Sequence, residues 1–262
     1  MKIPLYQIDA FTGRVFGGNP AAVCPLDAWL PDLVMQSIAL ENNLSETAFI
    51  VPRDGQYEIR WFTPAVEVDL CGHATLASAF ALFTIVEPSR TSVTFVSKSG
   101  PLRVSKQDDT LVMDFPSLPP KPCDPPAALL AALNVKPATV LLADNNNYMA
   151  VYEREEDVRA LDPDMILLSS IGLAHAFICT APGEQADFVS RFFAPKQGIP
   201  EDPVTGSAHS TLTPYWSKRL DRNPLRALQI SARGGELFCE DRGDRVGIAG
   251  RAALYLEGAI HI

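Results

Sequence analysis

The chain opens on a period-two alternation, Lys2-Ile3-Pro4-Leu5-Tyr6-Gln7-Ile8-Asp9-Ala10, which predicts a half-buried strand over residues 3–10. Short β-branched and aromatic runs predict further strands over 21–24, 48–52, 57–62, 92–96, 101–106 and 110–115, with helices over 31–42 and 74–86. Beyond residue 126 the pattern gives a short helix over 126–133 and strands over 139–142 and 148–151. A helix within 155–161, strands over 175–180 and 187–193, and a helix over 207–218 follow. Strands over 227–232, 236–240, 245–250 and 253–260 close the chain. Strands outnumber helices and follow one another in antiparallel-looking runs, which argues for an α+β fold over alternating βαβ units.

The two helices that begin near residues 74 and 207 stand out. Ala74-Thr75-Leu76-Ala77-Ser78-Ala79-Phe80-Ala81-Leu82-Phe83 is apolar almost all round, and such a helix needs burial on every side. A sheet curved around it supplies that. Gly72-His73-Ala74-Thr75-Leu76 aligns with Gly206-Ser207-Ala208, and Ser210-Thr211-Leu212 matches with a small offset. The two glycines are 134 residues apart, close to half of the chain. Between them Pro116, Pro119, Pro120, Pro122, Pro125 and Pro126 crowd one segment. Proline lacks a backbone donor and suits neither helix interior nor central strand, so this stretch reads as a semi-rigid linker. The expectation is two similar halves, 1–117 and 118–262, each a curved antiparallel sheet or barrel around a central helix, with the last strand free to return to the first half.

Composition narrows the function. A chain of 262 residues with 47% hydrophobic and 20% charged residues can bury a sizeable core. A net charge of −9 and the lack of a Lys/Arg-rich run argue against a nucleic-acid partner. The five cysteines are an odd number, widely spaced, with no C-x-x-C pair, so neither a disulfide framework nor a zinc site is expected. The N-terminus lacks the apolar core of a signal peptide, and the longest apolar stretch is too short for a bilayer. A cytoplasmic protein with no membrane partner is expected. Gly17-Gly18-Asn19-Pro20 is not a phosphate-binding glycine motif, and no Walker or G-x-S-x-G pattern occurs. Nothing points to a pyridoxal-phosphate lysine or to metal-ligand spacing, so chemistry by side chains alone, without cofactor or metal, is expected.

Candidate chemistry gathers at the two helix starts. A helix N-terminus presents free N–H groups and partial positive charge, and so favours an anion such as a substrate carboxylate. Gly72 and Gly206 would open such sites, although a turn glycine alone explains each. Glu46 stands where a helix gives way to a hydrophobic strand, and Asp202 just precedes the second helix. A carboxyl against apolar walls can exchange a proton near neutral pH. Spacing does not set Glu46 above Glu41, nor Asp202 above Glu201. His73, at a helix start that disfavours imidazolium, is expected as a neutral donor or acceptor. A structural hydrogen bond explains it as readily.

Several strings together resemble the phenazine-biosynthesis PhzF-like family. They are Asp9-Ala10-Phe11 with Gly18-Asn19-Pro20-Ala21-Ala22-Val23, Leu44-Ser45-Glu46-Thr47-Ala48-Phe49, and Arg60-Trp61-Phe62-Thr63-Pro64 running into Asp69-Leu70-Cys71-Gly72-His73-Ala74-Thr75-Leu76. Glu201-Asp202-Pro203-Val204-Thr205-Gly206-Ser207-Ala208-His209 and Gly234-Gly235-Glu236 complete the set. They occur in the family's order from end to end of the chain. The resemblance implies a diaminopimelate epimerase-like fold of two pseudo-symmetric halves with the active site between them, and commonly a homodimer. It implies Glu46 as the acid/base group that takes a proton from one carbon and returns it to another. His73, Asp202 and Ser207 would assist, and Gly72, Gly206 and Asn19 would contact the substrate. The best-known reaction of that family isomerises trans-2,3-dihydro-3-hydroxyanthranilate, a carboxylate. Diaminopimelate epimerase itself uses one cysteine from each half. Here Cys71 stands at the first helix start, but the second, 202–208, has none, so the thiol pair is incomplete. Two other readings remain open at this point: a racemase pairing Glu46 with Cys71 or Asp202, and a non-catalytic metabolite-binding protein.

Overall fold

A computed structural model describes residues 1–262, which fall into two compact units, Met1–Asp114 with Ala249–Ile262, and Phe115–Ile248. The first unit runs β1 (Lys2–Ala10), β2 (Asn19–Pro25), α1 (Asp32–Asn42), β3 (Glu46–Arg53), β4 (Gln56–Phe62), β5 (Glu67–Val68), α2 (Gly72–Ala81), β6 (Ser92–Ser97), β7 (Gly100–Gln107) and β8 (Thr110–Pro116). The second runs β9 (Lys121–Pro122), α3 (Ala127–Ala132), β10 (Thr139–Leu142), β11 (Asn147–Val151), α4 (Glu155–Arg159), α5 (Met165–Ser170), β12 (Ala176–Pro182), β13 (Phe188–Ala194), β14 (Ile199–Asp202), α6 (His209–Leu220), β15 (Leu225–Gln229), β16 (Gly235–Asp241) and β17 (Arg245–Gly250). β18 (Ala252–His261) then pairs antiparallel with β1, so the chain closes on its first unit.

The strand ladders of the two units follow one scheme. In the first, β1–β2 is antiparallel, β2–β3 parallel, β3–β4 and β4–β5 antiparallel, β4–β6 parallel and β6–β7 antiparallel. In the second, β10–β11, β11–β12, β12–β13, β13–β14, β13–β15 and β15–β16 repeat that order of directions pair for pair. The expected antiparallel pairing holds for most of these ladders, and each unit adds two parallel pairs to it. Parallel β2–β3 explains why β3 reads as a run of buried residues and not an alternation: it is covered on both faces. One face packs Phe49 and Val51 against Met35, Ile38 and Ala39 of α1. The other faces α2, which packs on β1, β2, β3 and β18.

α2 is the buried central helix that its composition predicts. Every residue from Gly72 to Ala79 is buried. Small side chains let the strands approach closely. Its interior hydroxyls are satisfied within the helix: Thr75 Oγ1 donates to Cys71 O at 2.6 Å and Ser78 Oγ to Ala74 O at 2.7 Å. The helix is shorter than the apolar run. Residues 82–86 form a π turn, where the run's β-branched Thr84, Ile85 and Val86 gather. In the second unit a 3₁₀ turn, Gly206–Ala208, comes before α6, which starts two residues later than the periodicity implies.

Other differences have local causes. β5 and β14 are too short to show a period. β9 forms inside the proline-rich segment, pairing Pro122 with Leu141, so the linker carries a strand edge where proline's missing donor is harmless. α5 is announced by Asp164, whose carboxylate caps Ile166 and Leu167 N–H groups at 2.9 and 3.0 Å. The strand expected over 227–232 is β15, two residues earlier. No helix is long and apolar enough to cross a membrane.

Candidate active site

In the first unit, β3 starts at Glu46 and α2 starts at Gly72, and the ends of these elements bring four side chains together. Glu46 faces the same side of β3 as Ala48 and Ile50, toward α2, and it is 7% exposed. His73 Nε2 lies 3.1 Å from Glu46 Oε2. The two atoms are out of line for a hydrogen bond, and each is buried with no hydrogen-bond partner. On the other side of the ring, His73 Nδ1 meets Asn19 Nδ2 at 3.2 Å and Cys71 Sγ at 3.5 Å. Ser45 Oγ donates to Asn19 Oδ1 at 3.3 Å. Asn19 is fully buried and held by protein groups at both ends of its amide.

The charge logic of His73 differs from the expectation. Burial works against imidazolium, but the Glu46 carboxylate beside the ring outweighs it and holds the His73 pKa above its ordinary value. A helix N-terminus disfavours the cation, but the Glu46 carboxyl group at 3.1 Å is nearer. With Nδ1 facing the Asn19 amide, the neutral ring carries its proton on Nε2, on the Glu46 side. Cys71 is pushed up to about 11, by burial first and by Glu46 next, and is a neutral thiol at pH 7.

Glu46, Cys71 and His73 place ligand atoms within 4.8 Å of one another. The imidazole stands between the other two, with Cys71 against Nδ1 and Glu46 against Nε2. No single ring nitrogen faces both partners, an arrangement that does not suit a tetrahedral metal cage.

In the second unit Asp202 ends β14 and is 7% exposed. Its Oδ2 accepts from Thr205 Oγ1 at 2.5 Å. Gln229 at the end of β15 clamps the same segment: Nε2 donates to Asp202 O at 2.8 Å and to Thr205 Oγ1 at 3.1 Å, and Oε1 accepts from Thr205 N–H at 2.8 Å. Ser231 Oγ donates to Pro203 O at 2.7 Å. Gly206 is buried and Ser207 half-buried. Neither helix start is capped by a side chain of the residue that precedes it. His209 is fully buried, and burial lowers it to about 4, so it is neutral. Glu201, which sequence could not separate from Asp202, turns the other way and forms a two-pronged ion pair with Arg191 at 2.7 and 2.8 Å. The first unit has the same device in Arg60 and Glu67, also at 2.7 and 2.8 Å.

The structure thus brings Glu46, His73, Gly72 and Asn19 together in one unit, and Asp202, Gly206 and Ser207 in the other. Sequence reading missed Ser45, Thr205 and Gln229. Thr205 had a signal, since it precedes Gly206 as Cys71 precedes Gly72. Gln229 had none. A second repeat sets Arg60-Trp61-Phe62-Thr63-Pro64 against Arg191-Phe192-Phe193-Ala194-Pro195, where each arginine lies over the phenylalanine two residues on, at 5.2 and 5.0 Å.

Comparison with known proteins adds the family. Residues 8–258 match the phenazine biosynthesis-like protein family, PhzC-PhzF. An uncharacterized isomerase of Pseudomonas aeruginosa is 50% identical over 262 residues, all of both chains. A crystal structure of a PhzF-family phenazine biosynthesis protein from Enterococcus faecalis has 47% identity and a TM-score of 0.96, covering 100% of both chains. A hydroxyproline epimerase from Agrobacterium vitis is 12% identical with a TM-score of 0.64, covering 99% of this chain and 92% of that one, a likeness of fold alone.

Proposed function

This chain belongs to the phenazine biosynthesis-like family and is an isomerase, and from that premise we propose that it moves a proton between two carbons of a small carboxylate-bearing substrate, with Glu46 as the shuttle. The observation that carries this reading is the Glu46 carboxylate, buried at the start of β3 with its Oε2 3.1 Å from His73 Nε2. General acid/base transfer needs a carboxylate held in a fixed place, and this pair supplies one.

In the proposed cycle the substrate C–H bond breaks and a Glu46 O–H bond forms, leaving the electron pair delocalised over the adjacent π system. The same O–H then breaks as the proton returns to a second carbon, so atoms and charge balance with no added reagent. His73 keeps its Nε2–H beside the carboxylate and balances its charge. Asn19 holds the ring, so the reading gives it a positioning role in place of direct substrate binding. The N–H groups at Gly72 and Gly206 suit a carboxylate. Asp202 and Ser207 assist proton traffic from the second unit. The homodimer and the cytoplasmic location implied by the family belong to the same reading, and sedimentation equilibrium tests the former.

The experiment uses trans-2,3-dihydro-3-hydroxyanthranilate, trans-4-hydroxy-L-proline and a panel of small carboxylates, first for thermal stabilisation and then for turnover in deuterated water followed by NMR. Glu46→Gln should lose about 10²–10⁴-fold of the rate of carbon-bound hydrogen transfer. Full activity of that variant sinks the proposal. The second reading, a racemase that uses Cys71 opposite Glu46, draws on the 3.5 Å contact of Cys71 with His73. It requires Cys71→Ala to cost as much as Glu46→Gln.

A further inference from the structure

The residue before each helix-start glycine holds that unit's acid/base candidate. In the first unit Cys71 touches His73; in the second Thr205 donates to Asp202. Thr205 is 7% exposed and Gln229 1%, and both are bonded to one another twice. A hydroxyl has one hydrogen. Gln229 Nε2–H occupies a lone pair of Thr205 Oγ1, and Asp202 Oδ2 at 2.5 Å lies where that hydrogen must go. Gln229 cannot turn its amide without placing its carbonyl against Asp202 O and its NH₂ against the Thr205 N–H. Its backbone is fixed as well, since it pairs with Ser190 of β13 and Gly235 of β16.

We propose that Thr205 is a positioning residue that aims the Asp202 carboxylate for proton transfer, and that Gln229 sets the direction of the Thr205 hydroxyl. The inference rests on the reading that Asp202 belongs to the acid/base set. It assigns the second helix start a role that a turn-forming threonine does not have. The chain Gln229 N–H to Thr205 O–H to Asp202 is polarised in one sense, each donor strengthening the next.

The test labels the chain with ¹³C-carboxyl aspartate and follows the Asp202 resonance, identified by its loss in Asp202→Asn, against pH. A hydroxyl donor favours the ionised carboxylate, so Thr205→Val should raise the Asp202 midpoint by about one pH unit, and Thr205→Ser, which keeps the hydroxyl, should restore it. Gln229→Met, close in volume but without the amide, should raise it by less and stands in should Thr205→Val fail to fold. With trans-2,3-dihydro-3-hydroxyanthranilate as probe, Thr205→Val should lower kcat at least tenfold with KM within twofold, and Thr205→Ser should recover it. An unchanged midpoint in both Thr205→Val and Gln229→Met overturns the inference. Full activity of Asp202→Asn overturns instead the reading on which it rests, and the titration separates the two failures.

Discussion

Glu201 and Asp202 are adjacent carboxylates of one strand, and they have different partners, Arg191 for the first and Thr205 for the second. Glu201 serves the fold. Its carboxylate takes Nε and one terminal nitrogen of Arg191, while the other terminal nitrogen donates to Leu161 O at 2.7 Å and Val158 O at 3.3 Å. The guanidinium also lies over Phe193. Paired in this way, with Glu201 the largest cause, Arg191 titrates above its ordinary value. Glu201→Gln keeps the shape but removes the charge and sets an NH₂ against a guanidinium donor. Charge-assisted hydrogen bonds are worth about 1.5–3 kcal/mol and neutral ones about 0.5–1.5. Glu201 retains 24% side-chain exposure, which screens the pair, so a net loss of about 2 kcal/mol is expected. For a chain of this size that corresponds to about 4–8 °C in apparent Tm. The hydrogen-transfer rate should stay within about threefold of the parent, since Glu201 points away from Thr205 and Asp202. Asp202→Asn should do the reverse: its amide oxygen still accepts from Thr205, so Tm should move by no more than about 2 °C while the rate falls at least tenfold. Differential scanning fluorimetry and the deuterium assay read both variants. The reasoning fails if Glu201→Gln loses the rate with Tm unchanged, or if Asp202→Asn melts early and still turns over.

Buried His209 has its pKa lowered to about 4, against about 6.5 unfolded, so between these values the unfolded chain binds the extra proton and falling pH favours unfolding. Its contribution is full above about pH 6.5 and shrinks by up to about 3 kcal/mol toward pH 4; urea unfolding at pH 7 and pH 5 should show a steeper loss for the parent than for His209→Gln, and parallel losses would refute it. Cys71, raised to about 11, should resist iodoacetamide at pH 7 in the folded chain, and Cys71→Ala should keep the rate within about threefold; rapid labelling would show a thiolate that this burial does not allow. Gly18 has φ +61° and a Cβ there would sit 2.1 Å from Ala10 O, so Gly18→Ala should destabilise by more than about 2 kcal/mol, through the left-handed backbone and the clash together. Because Gly18 leads directly into Asn19, the variant should also lose activity; a melting curve that overlays the parent would contradict this.

The parts of the fold legible in the sequence were those with a period or an unusual composition. An all-apolar helix such as α2 has no other place than a core, and the glycines at 72 and 206 marked where each central helix begins. Elements of two to four residues, such as β5, β9 and β14, carry too few positions for a period to emerge. The second repeat, built on Arg60 and Arg191, was hidden by a difference in spacing: Gly72 follows Arg60 by 12 residues, and Gly206 follows Arg191 by 15. A single offset cannot align both pairs. At the site, residue type pointed to carboxylates but could not choose among them. Glu41 lies exposed on α1 and Glu46 is buried at the start of β3, a difference set by which strand face meets α2. His73 was read against its helix dipole alone because its neighbour Glu46 is 27 positions away in sequence and 3.1 Å away in space.

The shared ladder scheme makes the differences between the units informative. Where the first unit has Cys71, Gly72 and His73, the second has Thr205, Gly206 and Ser207 on the same kind of helix entry. In the first unit the titratable groups touch one another: a carboxylate 3.1 Å from an imidazole that can carry charge. In the second, hydroxyl and amide donors surround a carboxylate, and the nearby histidine is held neutral by burial. A hydroxyl at position 205 cannot lose its proton near neutral pH as a thiol can, and here its hydrogen is already committed to Asp202. A symmetric two-thiol exchange therefore has no second partner in this chain. The two helix entries are therefore built differently, one around a carboxylate and an imidazole, the other around a carboxylate with hydroxyl and amide donors.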